Sequence, residues 1–185
     1  DDGAMTRTSQ VNTDEFIQYL TPYLEDGYDV IHLTLSSGIS GVFNSAQIAE
    51  DELREMFPER KIYMLDSLSA SAGYGLMVDK MAKLRDEGMS IDDLAQWVKY
   101  NRLNQNTWFF STDLTYFIRG GRVSKMSGWF GTKLNICPLL NVNNEGKLIA
   151  RTKNRGKKMV KKAIVDTMKS LVPAGEASNQ NVFIT

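Results

Sequence analysis

Two short serine-rich stretches are the residues best placed to do chemistry. Ser36-Ser37-Gly38-Ile39-Ser40-Gly41 follows the apolar run Val30 to Leu35 and precedes a stretch with helical spacing. Serine hydroxyls donate and accept hydrogen bonds, and glycines let the backbone approach a ligand closely. A helix that starts behind such a loop adds unpaired N–H groups and the positive end of its dipole. The combination suits an anionic group, a carboxylate or a phosphate. The same residues also have a plainer use, with Ser37 or Ser40 capping the helix. Asp66-Ser67-Leu68-Ser69-Ala70-Ser71 repeats the pattern behind a second apolar run, Lys61 to Leu65.

Several catalytic patterns fail on inspection. The chain has no Gly-Lys-Ser/Thr phosphate loop and no Gly-x-Gly-x-x-Gly fingerprint behind a strand. Gly38-Ile39-Ser40-Gly41 sets its last glycine directly after the serine, which breaks the Gly-x-Ser-x-Gly elbow. The single histidine, His32, lies in the middle of an apolar run, where packing is its expected role. A hydrolase acting on a small anionic substrate would need His32 beside Ser37 or Ser40, and that arrangement stands as the alternative reading. Cys137, next to Pro138 in an apolar segment, reads as core. One histidine and one cysteine supply no metal set.

A second chemical feature is basic. Arg119-Gly120-Gly121-Arg122-Val123-Ser124-Lys125 sets two arginines around a glycine pair, a turn that can present guanidinium groups to a phosphate or to a partner's acids. It reads equally as a helix C-cap with basic residues favoured by the dipole. Lys153, Arg155, Lys157, Lys158, Lys161 and Lys162 crowd on or near one helix. The periodic apolar face of that helix makes it an amphipathic element with a solvated basic side rather than a nucleic-acid reader. The formal net charge is zero, from 22 basic and 22 acidic side chains, yet it is unevenly spread. Residues 1–100 hold 18 acids and 8 bases, a net of −10, and residues 101–185 hold 4 acids and 14 bases, a net of +10. Opposite charges let two lobes dock or let two faces meet different partners.

The elements that must position these groups follow from periodicity. Thr13 is the expected N-cap of a first helix through Phe16, Ile17, Leu20 and Leu24, interrupted by Pro22 and stopped by Gly27. Strand, serine loop and helix then occur twice: strands at 30–35 and 61–65, helices at 42–56 and, behind the second loop, through Met77, Met81 and Leu84 to Gly88. A further helix opens at Ser90, a strand runs from Thr107 to Phe110, and a short helix spans Asp113 to Arg119. Ile136–Val142 and Lys147–Thr152 flank Asn143-Asn144-Glu145-Gly146, a hairpin signal, before a basic helix at 156–171. Asn181 to Thr185 is strand-like. The alternation implies an α/β fold with βαβ units and a parallel sheet. No apolar run spans a bilayer, Asp1-Asp2-Gly3 lacks the basic start and apolar stretch of a signal peptide, and a lone cysteine fits a reducing compartment, the cytoplasm.

Taken together these motifs resemble the DegV family. The resemblance rests on Thr8-Ser9-Gln10, on Leu35 to Gly41 with Asn44-Ser45-Ala46 behind it, and on Asp66 to Gly75. It continues through Arg119 to Ser124, Leu134-Asn135-Ile136-Cys137-Pro138-Leu139-Leu140 and Arg155-Gly156-Lys157-Lys158, so it covers nearly the whole chain. It implies a bacterial fatty-acid-binding protein, a carrier with no cofactor and no catalytic residues of its own. The family's two α/β lobes would here be residues 1–105 and 106–185, and one long-chain fatty acid would lie between them in an apolar tunnel, its carboxylate held by hydroxyls. In this sequence those are Thr8 and Ser37, with Ser36 and Ser40 as alternatives. A fatty acid kinase would be the partner that turns the bound acid into acyl phosphate for phospholipid synthesis. Arg119, Arg122, Arg151 and Arg155 would face that partner or the phosphate, and the acidic half would be mainly solvated helices. Phe43, Met77, Phe110, Phe117, Ile118, Trp129 and Phe130 are candidate tunnel walls, inseparable from core at this level. Each methylene buried contributes about 0.8 kcal/mol, so a long chain supplies ample affinity. No nucleic acid and no stable membrane insertion are implied.

The chain departs from the family pattern in three ways. Val11 stands where a proline usually follows Thr-Ser-Gln. The family's first strand and Asp-Ser loop have no counterpart ahead of Thr8. A histidine-bearing segment that the family carries beyond the strand at 181–185 is likewise missing. The expectation is a chain truncated at both ends relative to the family.

Overall fold

The computed structural model describes residues 8–122 and 135–185. Two sheets organise them. In the first, β1 (Val30–Thr34) and β2 (Ile62–Asp66) pair in parallel, with Thr34 beside Asp66. That register brings both serine-rich loops out at the same end of the sheet. In the second, β3 (Trp108–Phe110), β4 (Ile136–Val142) and β5 (Leu148–Arg155) run antiparallel in that order.

Helices cover both faces of the parallel pair. On one side α1 (Thr13–Glu25) and α2 (Val42–Met56) bury Phe16, Leu20, Leu24, Ala46, Ala49 and Leu53 against Ile62 and Met64. On the other, α3 (Ser71–Asp86) and α4 (Ile91–Asn101) bury Met77, Met81, Leu84, Leu94, Ala95 and Val98 against Leu33 and Leu65. Alternate strand residues therefore face opposite helix pairs, as the two-residue period requires, and both faces are apolar because both are covered. The antiparallel sheet is also packed on both sides. Leu114, just ahead of α5 (Thr115–Arg119), packs with Leu140, and α6 (Gly156–Leu171) sets Val160 on Cys137 and Leu139.

Local chemistry explains the element ends and corrects several expectations. Asn12, not Thr13, caps α1: its side chain accepts from Glu15 N at 2.9 Å and Glu15 returns a bond to Asn12 N at 2.8 Å. Pro22 does not end α1, because Gln18, whose carbonyl loses its donor, is exposed to solvent. Gly27 follows the helix with φ of +89°, the stop expected of it. Residues 181–185 form no strand. Pro138 is tolerated in β4 because it lies one residue beyond the last pairing with β3, where β4 has a neighbour on one side only. A bulge between Leu139 and Leu140 makes Arg151 the extra residue of β5.

His32 is packed in place rather than poised as a base. Its ring meets Phe16 edge-on at 5.3 Å between centroids. Burial pushes its pKa below the ordinary 6.5 by penalising the imidazolium. The unfolded chain then binds a proton more readily than the folded one, so His32 supports the fold fully above pH 6.5 and loses that support as the pH falls through it. Thermal unfolding scans from pH 7 to pH 5 should show a falling Tm, and His32→Phe should flatten that part of the profile. An unchanged slope in the variant would show that other groups set it.

Candidate ligand-binding site

The first serine loop is built around Ser36, which is fully buried. Its N–H donates to Ser69 O at 3.0 Å, and its carbonyl accepts from Ile39 N and Ser40 N at 3.0 and 3.1 Å. Its hydroxyl accepts from Gly38 N at 3.1 Å and donates to Gly146 O at 2.8 Å. Ser37 N donates to Asp66 Oδ1 at 3.1 Å, and Leu68 N reaches the same oxygen at 2.9 Å. Every backbone N–H from Ser36 to Ser40 is thus engaged within the protein.

Ser37 is different. It is exposed, and its hydroxyl has no partner among the described residues. Gly41 is the N-cap residue of α2, and Ser40 Oγ, one residue earlier, accepts from Val42 N at 3.2 Å. Phe43 N and Asn44 N, next in the first turn of α2, find no acceptor among the described residues. They form the available donor end of the helix. Thr8 is exposed. Two residues on, Gln10 Nε2 donates to Ser45 Oγ at 3.1 Å, and Gln10 lies so close to Gly41 that an added Cβ would meet Oε1 at 2.7 Å. The Thr8-Ser9-Gln10 segment is therefore tied beside the start of α2.

The second loop braces the first. Buried Ser67 and Ser69 bond each other's loop atoms, with Ser67 Oγ donating to Ser69 O at 3.1 Å and accepting from Ser69 N at 3.0 Å. Ser69 Oγ and Thr107 Oγ1 share a hydrogen bond of 2.9 Å, and Arg102 Nη1 donates to Asp66 O at 3.0 Å. Leu68 and Ser71 hold left-handed φ values of 48° and 50°, backbone strain concentrated beside the site. Asp66, Gly146, Thr107 and Arg102 support the site without belonging to the hydroxyl set that the sequence marks. Asp66 had a signal in the matching ends of the two strands, but the other three come from elsewhere in the chain.

A cavity of about 500 Å³ lies in the other sheet's region, lined by Leu114, Thr115, Ile118, Arg119 and residues 135–138 among others. It sits at the opposite end of β4 from the hairpin tip that touches Ser36. Four strand rises, about 13 Å at ~3.3 Å each, separate Pro138 from Val142. The other arginines divide. Arg122 donates back to Gly120 O, Arg151 is held on Asn141 Oδ1 at 2.8 Å, and Arg155 is exposed at the end of β5, paired with Ile136. Only Arg119 lines the cavity. Among the candidate tunnel walls, Met77, Phe110 and Phe117 are core, Ile118 lines the cavity, and Phe43 is half-buried in the first turn of α2. Trp129 and Phe130 lie outside the described residues, as do Val123 to Leu134 of the motifs noted above.

His32 bonds none of the serine hydroxyls, so no Ser–His pair forms among the described residues. No described helix is long and apolar enough to cross a membrane.

Comparison with known proteins places these features in context. Residues 1–184 match the family described as "Uncharacterised protein, DegV family". A DegV domain-containing protein of Clostridium perfringens is 37% identical over 99% of this chain and 62% of its own length. A solved structure from Thermus thermophilus, titled as fatty acid binding of a DegV family protein, is 30% identical with a TM-score of 0.78, over 92% of this chain and 59% of that one. The Streptococcus pneumoniae Fatty Acid Kinase (Fak) B3 protein, loaded with linoleic acid, is 27% identical with a TM-score of 0.75, over 88% of this chain and 57% of that one. The chain thus spans a little over half the length of these relatives.

Removing the Asp66 carboxylate should strand two inward N–H donors, Ser37 and Leu68. Asp66→Ala is expected to lower stability by about 1–3 kcal/mol, read as a lower urea midpoint with the slope unchanged. Asp66→Asn, which keeps an accepting oxygen, should lose distinctly less.

Proposed function

This chain belongs to the DegV family, and we propose on that basis that it binds a long-chain fatty acid. The carboxylate is held by the hydroxyls of Ser37 and Thr8 and by the donor end of α2, and the acyl chain extends toward the cavity beside α5. The observation that carries this reading is the Ser37 hydroxyl. It is exposed and unpartnered among the described residues, on a loop whose amides from Ser36 to Ser40 are all satisfied. An acceptor of one or two hydroxyl donors fits there, and few donors are needed where apolar burial supplies the affinity. The separation between the loop and the cavity favours a long ligand over a short one. The fatty acids named for the Thermus thermophilus and Streptococcus pneumoniae relatives point the same way.

On this reading the protein is a carrier, cytoplasmic, and the phosphorylation chemistry belongs to a partner kinase. Support for the partner is the name of the linoleate-loaded relative. The exposed guanidinium groups of Arg155 and of Arg122, which keeps N–H groups beyond the one given to Gly120 O, form the basic docking surface. A boundary near residue 105 then divides an acidic lobe carrying the serine loops from a basic lobe carrying that surface.

Lipid extracted from the purified protein should contain a near-stoichiometric long-chain acid by mass spectrometry. Ser37→Ala should weaken fatty acid binding about tenfold in calorimetric titration, the usual cost of one hydrogen bond to a charged group. Protein that carries no lipid and binds none would refute the reading. Arg122→Glu with Arg155→Glu should reduce capture of a fatty acid kinase while leaving the acid's affinity unchanged; equal capture would remove those residues from the docking surface.

A further inference from the structure

Ser36 presents a puzzle for any scheme in which the serine loop simply grasps a ligand. It sits next to Ser37 and carries the same hydroxyl, yet it is 0% exposed and both hydrogen-bonding roles of that hydroxyl are filled. One of its partners lies 110 residues away, on the turn that joins β4 to β5 in the other sheet. The contact is close on both sides. A Cβ added at Gly38 would lie 2.5 Å from Glu145 O and from Gly146 C. One added at Gly146, whose φ is +71°, would lie 2.0 Å from Ser36 Oγ. Two glycines and one serine thus let the hairpin tip and the loop touch backbone to backbone.

The consequence for Ser37 is direct. Gly38 N is held by the hydroxyl that reaches Gly146, and Ile39 and Ser40 are held by the carbonyl of the same Ser36. The path of the loop on the C-terminal side of Ser37 therefore depends on Ser36, and Ser36 depends on the hairpin. The N-terminal side is held separately, through Asp66 and Ser69.

We propose that Ser36 is a positioning residue, not a ligand contact, and that through its bond to Gly146 the β4–β5 hairpin sets where Ser37 presents its hydroxyl. This rests on the fatty-acid reading above and assigns Gly146 a part in head-group recognition without touching the ligand. It also makes the coupling reciprocal: a ligand that fixes the loop must in turn steady the hairpin, since linkage between two sites runs equally in both directions.

The test compares hexadecanoic acid with its methyl ester, which has the same tail and no carboxylate. Ser36→Ala and Gly146→Ala should each weaken the acid about tenfold and leave the ester unchanged. The double variant should lose no more than the worse single one, because both break one linkage. Equal losses for acid and ester, additive losses, or full acid affinity in Ser36→Ala would overturn the proposal. Should either variant not fold, hydrogen exchange on the unaltered protein decides the matter. Hexadecanoic acid should slow exchange at the amides of Asn143 to Lys147, and an unchanged rate there with acid bound would overturn it. An unaltered protein that binds neither compound would instead refute the fatty-acid reading itself.

Discussion

A single buried hydroxyl joins the two sheets of this protein at the place where its chemistry is concentrated. Ser36 Oγ bridges Gly38 N in its own loop and Gly146 O across the sheet boundary, with no exposed surface. Removing such a group from water is costly unless each of its hydrogen bonds is replaced, and here both are. The rest of the seam is polar in the same way. Ser69 Oγ meets Thr107 Oγ1 just ahead of β3. Apolar contact fills the interior of each sheet's packing, while directional bonds join one to the other. Directional bonds specify an orientation, which apolar burial by itself does not.

The location of the seam follows from the parallel pairing of β1 and β2. Parallel strands carry their C-terminal ends to one edge, so Ser36 and Ser67 leave the sheet side by side. The loops then share their backbone groups: Ser36 N reaches Ser69 O, and Asp66 holds Ser37. Satisfying the loop internally leaves few groups for a ligand, chiefly the Ser37 hydroxyl and the first turn of α2. Such economy suits a molecule whose affinity comes from an apolar tail. The polar end then needs to orient the ligand more than to grip it.

The charge division takes a structural form as well. The acidic residues belong largely to the elements around the parallel sheet and the basic ones to the antiparallel sheet and α6. Individual arginines are not equivalent within that field. Arg151 is spent as the bulge residue of β5 on Asn141, Arg122 folds back on its own turn, and Arg119 lines the cavity. A net charge read from sequence is a statement about long-range attraction, and only the fold says which guanidinium groups are free to meet a partner.

The sequence by itself determined the order and kind of nearly every element. Those signals are local: the apolar period of α2 and α6, the glycine after α1, and the turn residues at Asn143 to Gly146 lie within a few residues of what they specify. It also marked both serine loops, because strand, small polar residues and helix recur in one short span. Where local signals competed, the outcome turned on detail, as with Asn12 displacing Thr13 once Glu15 could return the bond. The strand-like pattern at 181–185 had no neighbour to pair with among the described residues, and a strand is only as real as its partner. The division of labour between Ser36 and Ser37 was decided by the tertiary structure alone. Two adjacent serines are chemically alike in the chain. One is buried and the other exposed because a glycine 110 residues away reaches the first and leaves the second to solvent.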